Sequence, residues 1–109
     1  METSQLITVL VSVPTSELGE QIAHQLVSSH LAACVSILPR MKSVYFWEGA
    51  VEVSEEFLLI IKTSSHRFGA LQQEVRTLHP YETPEIIALP ITDAFAGYAN
   101  WVLQESSGK

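Results

Sequence analysis

Cationic side chains, cysteine and charge in general are all scarce in this chain of 109 residues. Lys and Arg number 6 against 12 Asp and Glu, for a formal net charge of −6. Binding to a phosphate backbone works through clustered cations that displace counterions. Six scattered ones exclude that class, so no nucleic-acid partner is expected. The only cysteine is Cys34, which rules out an intrachain disulfide framework. Catalytic signatures are missing as well. There is no G-x-S-x-G, no glycine-rich phosphate loop, and no C-x-x-C, H-x-H or H-x-x-x-H pair. The expectation is therefore of a protein that is not an enzyme. The opening METSQLITVLVSVP has no basic segment ahead of its apolar run, and that run is short and carries Thr8 and Ser12. No secretory leader and no membrane span are expected, and a cytoplasmic location is the default.

Apolar residues are plentiful, at 47 % of the chain, while charged ones are only 17 %, against ~25 % in ordinary soluble domains. The length fits one domain with one core, with residues 6–104 ordered between short N- and C-terminal tails. LITVLVSV (Leu6–Val13) is rich in β-branched residues and is stopped by Pro14, which predicts a buried strand. Thr15 suits an N-cap, with Glu17 and Glu20 near the positive end of the helix dipole. Leu18, Ile22 and Leu26 then form one apolar helical face. A second strand is expected from LAACVSIL (Leu31–Leu38) on to MKSVYFW (Met41–Trp47). Pro39 lies between the two, where a residue that cannot donate to a ladder implies a bulge or an edge. Trp47-Glu48-Gly49-Ala50 reads as a turn with Gly49 at positive φ. The third strand runs from about Val51 to Thr63.

Ser64 or Ser65 is expected to cap a second helix, with Phe68, Leu71, Val75 and Leu78 on its apolar face. After LHPYETP comes the strand EIIALPI. A third helix, about Asp93 to Glu105, carries Phe95, Tyr98, Trp101 and Val102 on its apolar side, and the tail SSGK is expected to fray. The order is two strand–helix–strand halves followed by a helix. Right-handed crossovers would place both main helices on one face of one sheet. That is an α+β, ferredoxin-like split βαβ arrangement.

Two features argue for assembly. The strands LITVLVSV, FLLIIKT and EIIALPI are almost continuously apolar, so a sheet covered on one face would leave the other greasy face in water. Each arm of the central hairpin also holds about 14 residues, ~45 Å at ~3.3 Å per residue, which overreaches a body this small. Closed association of identical chains answers both.

The blocks LAACVSILP, SVYFWEG, LLIIKT and HPYETPEIIALPI, in this order and over about Ile7–Leu103, resemble the CutA family, the divalent-cation tolerance proteins. The resemblance implies a ferredoxin-like subunit in a tight PII-like homotrimer. It also implies a role in tolerating divalent metals, with Cu(II) or a similar cation bound but not required for folding. In the family's bacterial pattern the proposed copper ligands are a Cys late in the first strand and two adjacent His before the HPY proline. Here those positions read Val11 and Leu78-His79, so His79 alone carries over.

His79 is the candidate metal ligand, since neutral imidazole is a common donor and Pro80 fixes the chain beside it. The alternative is a structural histidine at a helix end. By resemblance, Tyr45, Trp47, Glu48, Lys62, Tyr81 and Glu82 gather near a cleft between subunits, where PII-type proteins take small ligands. Lys62 ends a buried strand, and Lys is seldom buried unpaired. Either a Glu partner, with Glu56 and Glu82 the candidates, or a small anionic ligand would account for it. Cys34, within a small apolar stretch, reads as a buried thiol. Three functions stand at this point: a metal-tolerance trimer, a PII-like module for a small anion, and a purely structural trimer.

Overall fold

A computed structural model of the chain describes residues 5–107. The element order is β1 (Leu6–Val13), α1 (Ser16–Ser28), β2 (Cys34–Trp47), β3 (Ala50–Ser64), a single 3₁₀ turn (Ser65–Arg67), α2 (Phe68–Leu78), β4 (Ile86–Pro90) and α3 (Ala96–Glu105). The four strands form one antiparallel sheet in the order β2-β3-β1-β4. The fold is thus α+β, four strands and three helices among the described residues.

The core lies between one face of the sheet and the helices α1 and α2. Val9, Val11 and Val13 of β1 and Leu59 and Ile61 of β3 point to that face, and all five are 0 % exposed. Ile22 and Leu26 of α1 and Leu71 and Val75 of α2 meet them. Each such side chain, fully buried, contributes roughly 1.5–3 kcal/mol. Helix α1 starts where Thr15 Oγ1 accepts the Leu18 N–H at 3.1 Å. It also lies close against the sheet. A Cβ built on Gly19 would sit 3.2 Å from Leu59 Cδ2 and 3.4 Å from Val13 Cγ2, so a methyl group there would require those side chains to give by a few tenths of an ångström.

The hairpin β2–β3 holds one irregularity. Its register runs Leu38↔Leu58 and then Met41↔Glu56, three steps on β2 against two on β3. The extra residue falls at Pro39-Arg40, on an edge strand, as the proline implies. It also reverses the in–out alternation of β2. Val35 and Ile37 face the helices before the bulge, and Val44 and Phe46 take that same side after it, paired with Val53 and Val51. At the tip, Glu48 has φ 48° and Gly49 φ 82°. Both central residues are left-handed, the primed turn that matches strand twist.

Several expectations shift. Leu31, Ala32 and Ala33 are not strand but a buried link before Cys34. His30 turns the chain at φ 62°, and the Leu31 and Ala32 N–H groups both donate to Leu26 O. Neither Ser64 nor Ser65 caps α2. Its first turn is preceded by the 3₁₀ turn, and no side chain caps either. The Ser64 hydroxyl is engaged elsewhere, 2.6 Å from that of Ser106. Ser106 itself is buried and donates to Val102 O, so the tail is anchored at its first residue; Gly108 and Lys109 lie outside the described residues. On α3 only Val102 is buried, while Phe95, Tyr98 and Trp101 point outward.

Candidate functional site

Beyond the reach of α1, the hairpin runs on past the body, and the whole measures 44 × 26 × 23 Å. The segment between α2 and β4 folds back against the root of this arm and closes a cleft of about 720 Å³. The corner is made by His79. Its Nε2–H donates to Ser12 O at 2.8 Å, and its Nδ1 accepts the Tyr81 N–H at 3.2 Å. Those two bonds fix a neutral ring of one tautomer. The ring is buried, and the Tyr81 ring tilts against it with centroids 4.8 Å apart. Both nitrogens are committed, so a metal at either would first have to break one of these bonds.

Pinning His79 carries Tyr81, Glu82 and Glu85 to one wall of the cleft. The hairpin supplies the opposite wall with Tyr45, Trp47 and Glu56, and Ser12 of β1 lies at the base. Tyr45 and Trp47 share a sheet face with Glu56, because alternate residues of an antiparallel pair lie on one side. Glu56 is only 7 % exposed. Its Oε2 accepts the Tyr81 hydroxyl at 3.4 Å, and its Oε1 has no hydrogen-bond partner among the described residues. Burial raises the Tyr81 phenol above its usual pKa, and the charge and hydrogen bond of Glu56 push it the same way.

The structure therefore brings together five of the residues singled out from sequence: Tyr45, Trp47, Glu56, Tyr81 and Glu82. It does not bring Glu48, which sits in the hairpin turn, or Lys62. Lys62 lies six residues along β3 from Glu56. Its Nζ donates to Ser36 Oγ at 3.2 Å and Ile60 O at 3.4 Å, and it makes no ion pair among the described residues. The Glu partner expected for it is absent from its surroundings. With three carboxylates and no Lys or Arg in the lining, the cleft carries the wrong sign for the anion that Lys62 suggested. Glu85 was not singled out from sequence. Its only signal is position, one residue after Pro84 at the start of the strand that closes the cleft.

Cys34 stands apart from the cleft, opposite Lys62 in the register. It is half-buried rather than sealed in the core, and burial, with Cys34 as a neighbour, raises the Tyr98 phenol of α3 above its usual pKa. Among the described residues no group of three His, Cys, Asp or Glu side chains converges as metal donors would. None of the helices among those residues is long and apolar enough to cross a membrane.

Comparison with known proteins agrees with the architecture. The family model described as CutA1 divalent ion tolerance protein matches residues 7–105. The divalent-cation tolerance protein CutA of Thermus thermophilus is 46 % identical over 100 residues, covering 92 % of this chain and 96 % of that protein. The chloroplastic protein CutA 1 of rice is 46 % identical over 96 residues, which are 88 % of this chain but 54 % of the rice protein, so the chain spans about half of that relative. Among solved structures, the Thermus thermophilus divalent cation tolerance protein superposes with a TM-score of 0.91 at 42 % identity, covering 93 % of this chain and 98 % of that one. The chain belongs to the CutA1 divalent ion tolerance family.

Proposed function

We propose that the protein serves divalent-cation tolerance as a PII-like homotrimer of ferredoxin-like subunits, holding copper or a similar divalent cation at positions made between chains. The strand order β2-β3-β1-β4 with all pairs antiparallel supports the ferredoxin-like subunit. One observation carries the assembly. Val44, Phe46, Val51 and Val53 form a strip on the helix-side face of the arm, and they are 67, 71, 65 and 60 % exposed. Four large apolar side chains in a row are a docking surface on a protein with so little surface charge. The opposite face of the sheet, with Leu38, Ile87 and Leu89 also exposed, adds to it. The copy number comes from the family resemblance.

Shared metal positions follow from what one chain offers. No three donors converge within its described residues, and both nitrogens of His79 are in use. A tight site requires three or four donors at fixed distance, and symmetry supplies copies of any one donor. Sedimentation velocity and copper titration test the reading together. The expected result is a stable trimer at low micromolar protein that binds copper tightly only in the assembled form. A well-folded monomer, or tight copper binding that persists in a dissociated chain, refutes it.

A further inference from the structure

We infer that Lys62 of each chain forms a charge pair with Glu56 of the neighbouring copy, and that this pair sets the register in which the copies meet. The inference rests on the assembly proposed above and adds the contact that gives it direction.

The sheet face turned away from α1 and α2 is the starting point. Glu56 stands toward one end of it and Lys62 toward the other, with Leu58 and Ile60 between them on β3. Leu10, Leu38, Ile87 and Leu89 extend the apolar field on the neighbouring strands. Of the residues that the strand register places on this face, Lys62 is the only Lys or Arg, and Glu52, out on the arm, is the only acid besides Glu56.

Neither charge meets its opposite within the chain. Glu56 is buried, and its one contact is the Tyr81 hydroxyl, 3.4 Å from Oε2. Lys62 is half-buried. Its ammonium donates to two neutral oxygens, Ser36 Oγ at 3.2 Å and Ile60 O at 3.4 Å, and has a third proton to give. The two cannot serve each other in one chain, because six residues of strand separate them. At ~3.3 Å per residue that is ~20 Å, more than both side chains together span.

Covering this face with a second copy makes the shortage acute. An unpaired ammonium or carboxylate shut away from water is costly, and each copy brings the group that the other lacks. Glu82 and Glu85 lie off the sheet and are exposed in the single chain, so they are under no such constraint. An apolar field with opposite charges at its two ends is complementary to a copy of itself. Burial of the apolar side chains drives association without direction, whereas a charge pair permits one offset and opposes others. In a closed ring each chain gives Lys62 to one neighbour and Glu56 to the other, and no charge is left over.

Carbodiimide joins an amine to a carboxylate in direct contact as an amide, and it tests the pair on the full-length, unsubstituted protein. Chains of natural and of heavy-nitrogen composition are unfolded, mixed, assembled together, treated, and read by peptide mass spectrometry. The expected product is a Lys62–Glu56 linked peptide whose two halves carry different labels. In sedimentation, Lys62→Gln is expected to weaken self-association at least about tenfold, and Lys62→Glu combined with Glu56→Lys to regain part of the loss. If that double variant fails to fold, the link and Lys62→Gln decide the matter without it. A link found only between like labels places the pair within one chain and overturns the inference. So does linkage of Lys62 to Glu82 or Glu85 in its place, or Lys62→Gln that assembles as tightly as wild type. A stable assembly that yields no such link sinks this inference and leaves the proposed assembly standing, whereas a well-folded monomer removes both.

Discussion

The sheet has two halves built from the same kinds of residue and treated in opposite ways. Toward the body, Val9, Val11, Leu59 and Ile61 are fully buried under α1 and α2. Along the arm, Val44, Phe46, Val51 and Val53 occupy the same face of the same sheet and stand mostly in solvent. Alternation and β-propensity are alike in both. Only the presence of a helix overhead differs. Side-chain pattern therefore says which way a residue points, and the length of the covering helices says whether anything meets it. The first half stabilises the subunit, and the second is free to hold another copy.

The strongest way to break this contrast is to make parallel substitutions in each half. Leu59→Ala, in the covered half, is expected to lower subunit stability by about 2–5 kcal/mol, read as a shift in the urea midpoint. Val53→Asp, in the bare half, is expected to leave far-ultraviolet circular dichroism unchanged while weakening self-association by on the order of 2 kcal/mol, read by sedimentation. If Val53→Asp unfolds the chain instead, the arm belongs to the core and the division fails.

A sharper test sits at the far end of the covered half. Ser106 donates its only hydroxyl proton to Val102 O, so the Ser64 hydroxyl is the donor in the 2.6 Å bond between the two serines. Ser106→Ala would leave Ser64, 1 % exposed, with a buried and unpaired donor, at about 1–3 kcal/mol. Protection of the α3 amides in hydrogen exchange should fall first. At the tip of the bare half, Gly49→Ala places a Cβ at φ 82° and is expected to cost about 1 kcal/mol. Its Cβ would meet no atom within 4 Å, so the cost is conformational and should appear as loosened hairpin amides with an intact core.

The smallest effect lies at the junction of the halves. Folding raises the Tyr81 phenol above its unfolded value near 10.0, first by burial and then through Glu56. The folded form holds this proton more tightly than the unfolded one. Its stabilising share is therefore complete below pH ~10 and fades as pH rises through the folded value. In Glu56→Gln the phenolate absorbance attributable to Tyr81 should appear at lower pH than in wild type. An unchanged profile would remove Glu56 from contact with this tyrosine.

Much of this was legible in sequence because it is local. The apolar face of α1, the cap at Thr15, the bulge implied by Pro39 and the turn at Gly49 each depend on residues a few places apart. What was left open or misread depends on distant partners. Ser64 has the chemistry of a cap, but its hydroxyl meets Ser106, 42 residues on. His79 has the chemistry of a ligand, but its ring is bonded to a carbonyl 67 residues back. Lys62 called for a carboxylate and has Ser36, 26 residues away, on the neighbouring strand. Leu31–Ala33 looks like the start of a strand because small apolar residues suit one, yet the left-handed turn at His30 delays the ladder to Cys34. At the site, residues of both cleft walls were named from sequence, but for a cleft between subunits and not for one within the chain; Glu85 was not named, and Glu48 and Lys62 were included. Which side of a strand faces a cavity depends on the bulge count and on a loop that folds back, and neither is a local property.

The single extra residue at Pro39-Arg40 has one more consequence. It shifts the parity of the outer half of the second strand, so the greasy row and the cleft row of the arm keep their places only while that count holds. Losing or gaining one residue between there and the tip would turn over the outer part of β2, sending Tyr45 and Trp47 to the helix-side face and Val44 and Phe46 to the cavity. Such an arm can lengthen or shorten in steps of two, and the spacing from Pro39 to Gly49 is therefore a ruler as much as a connection.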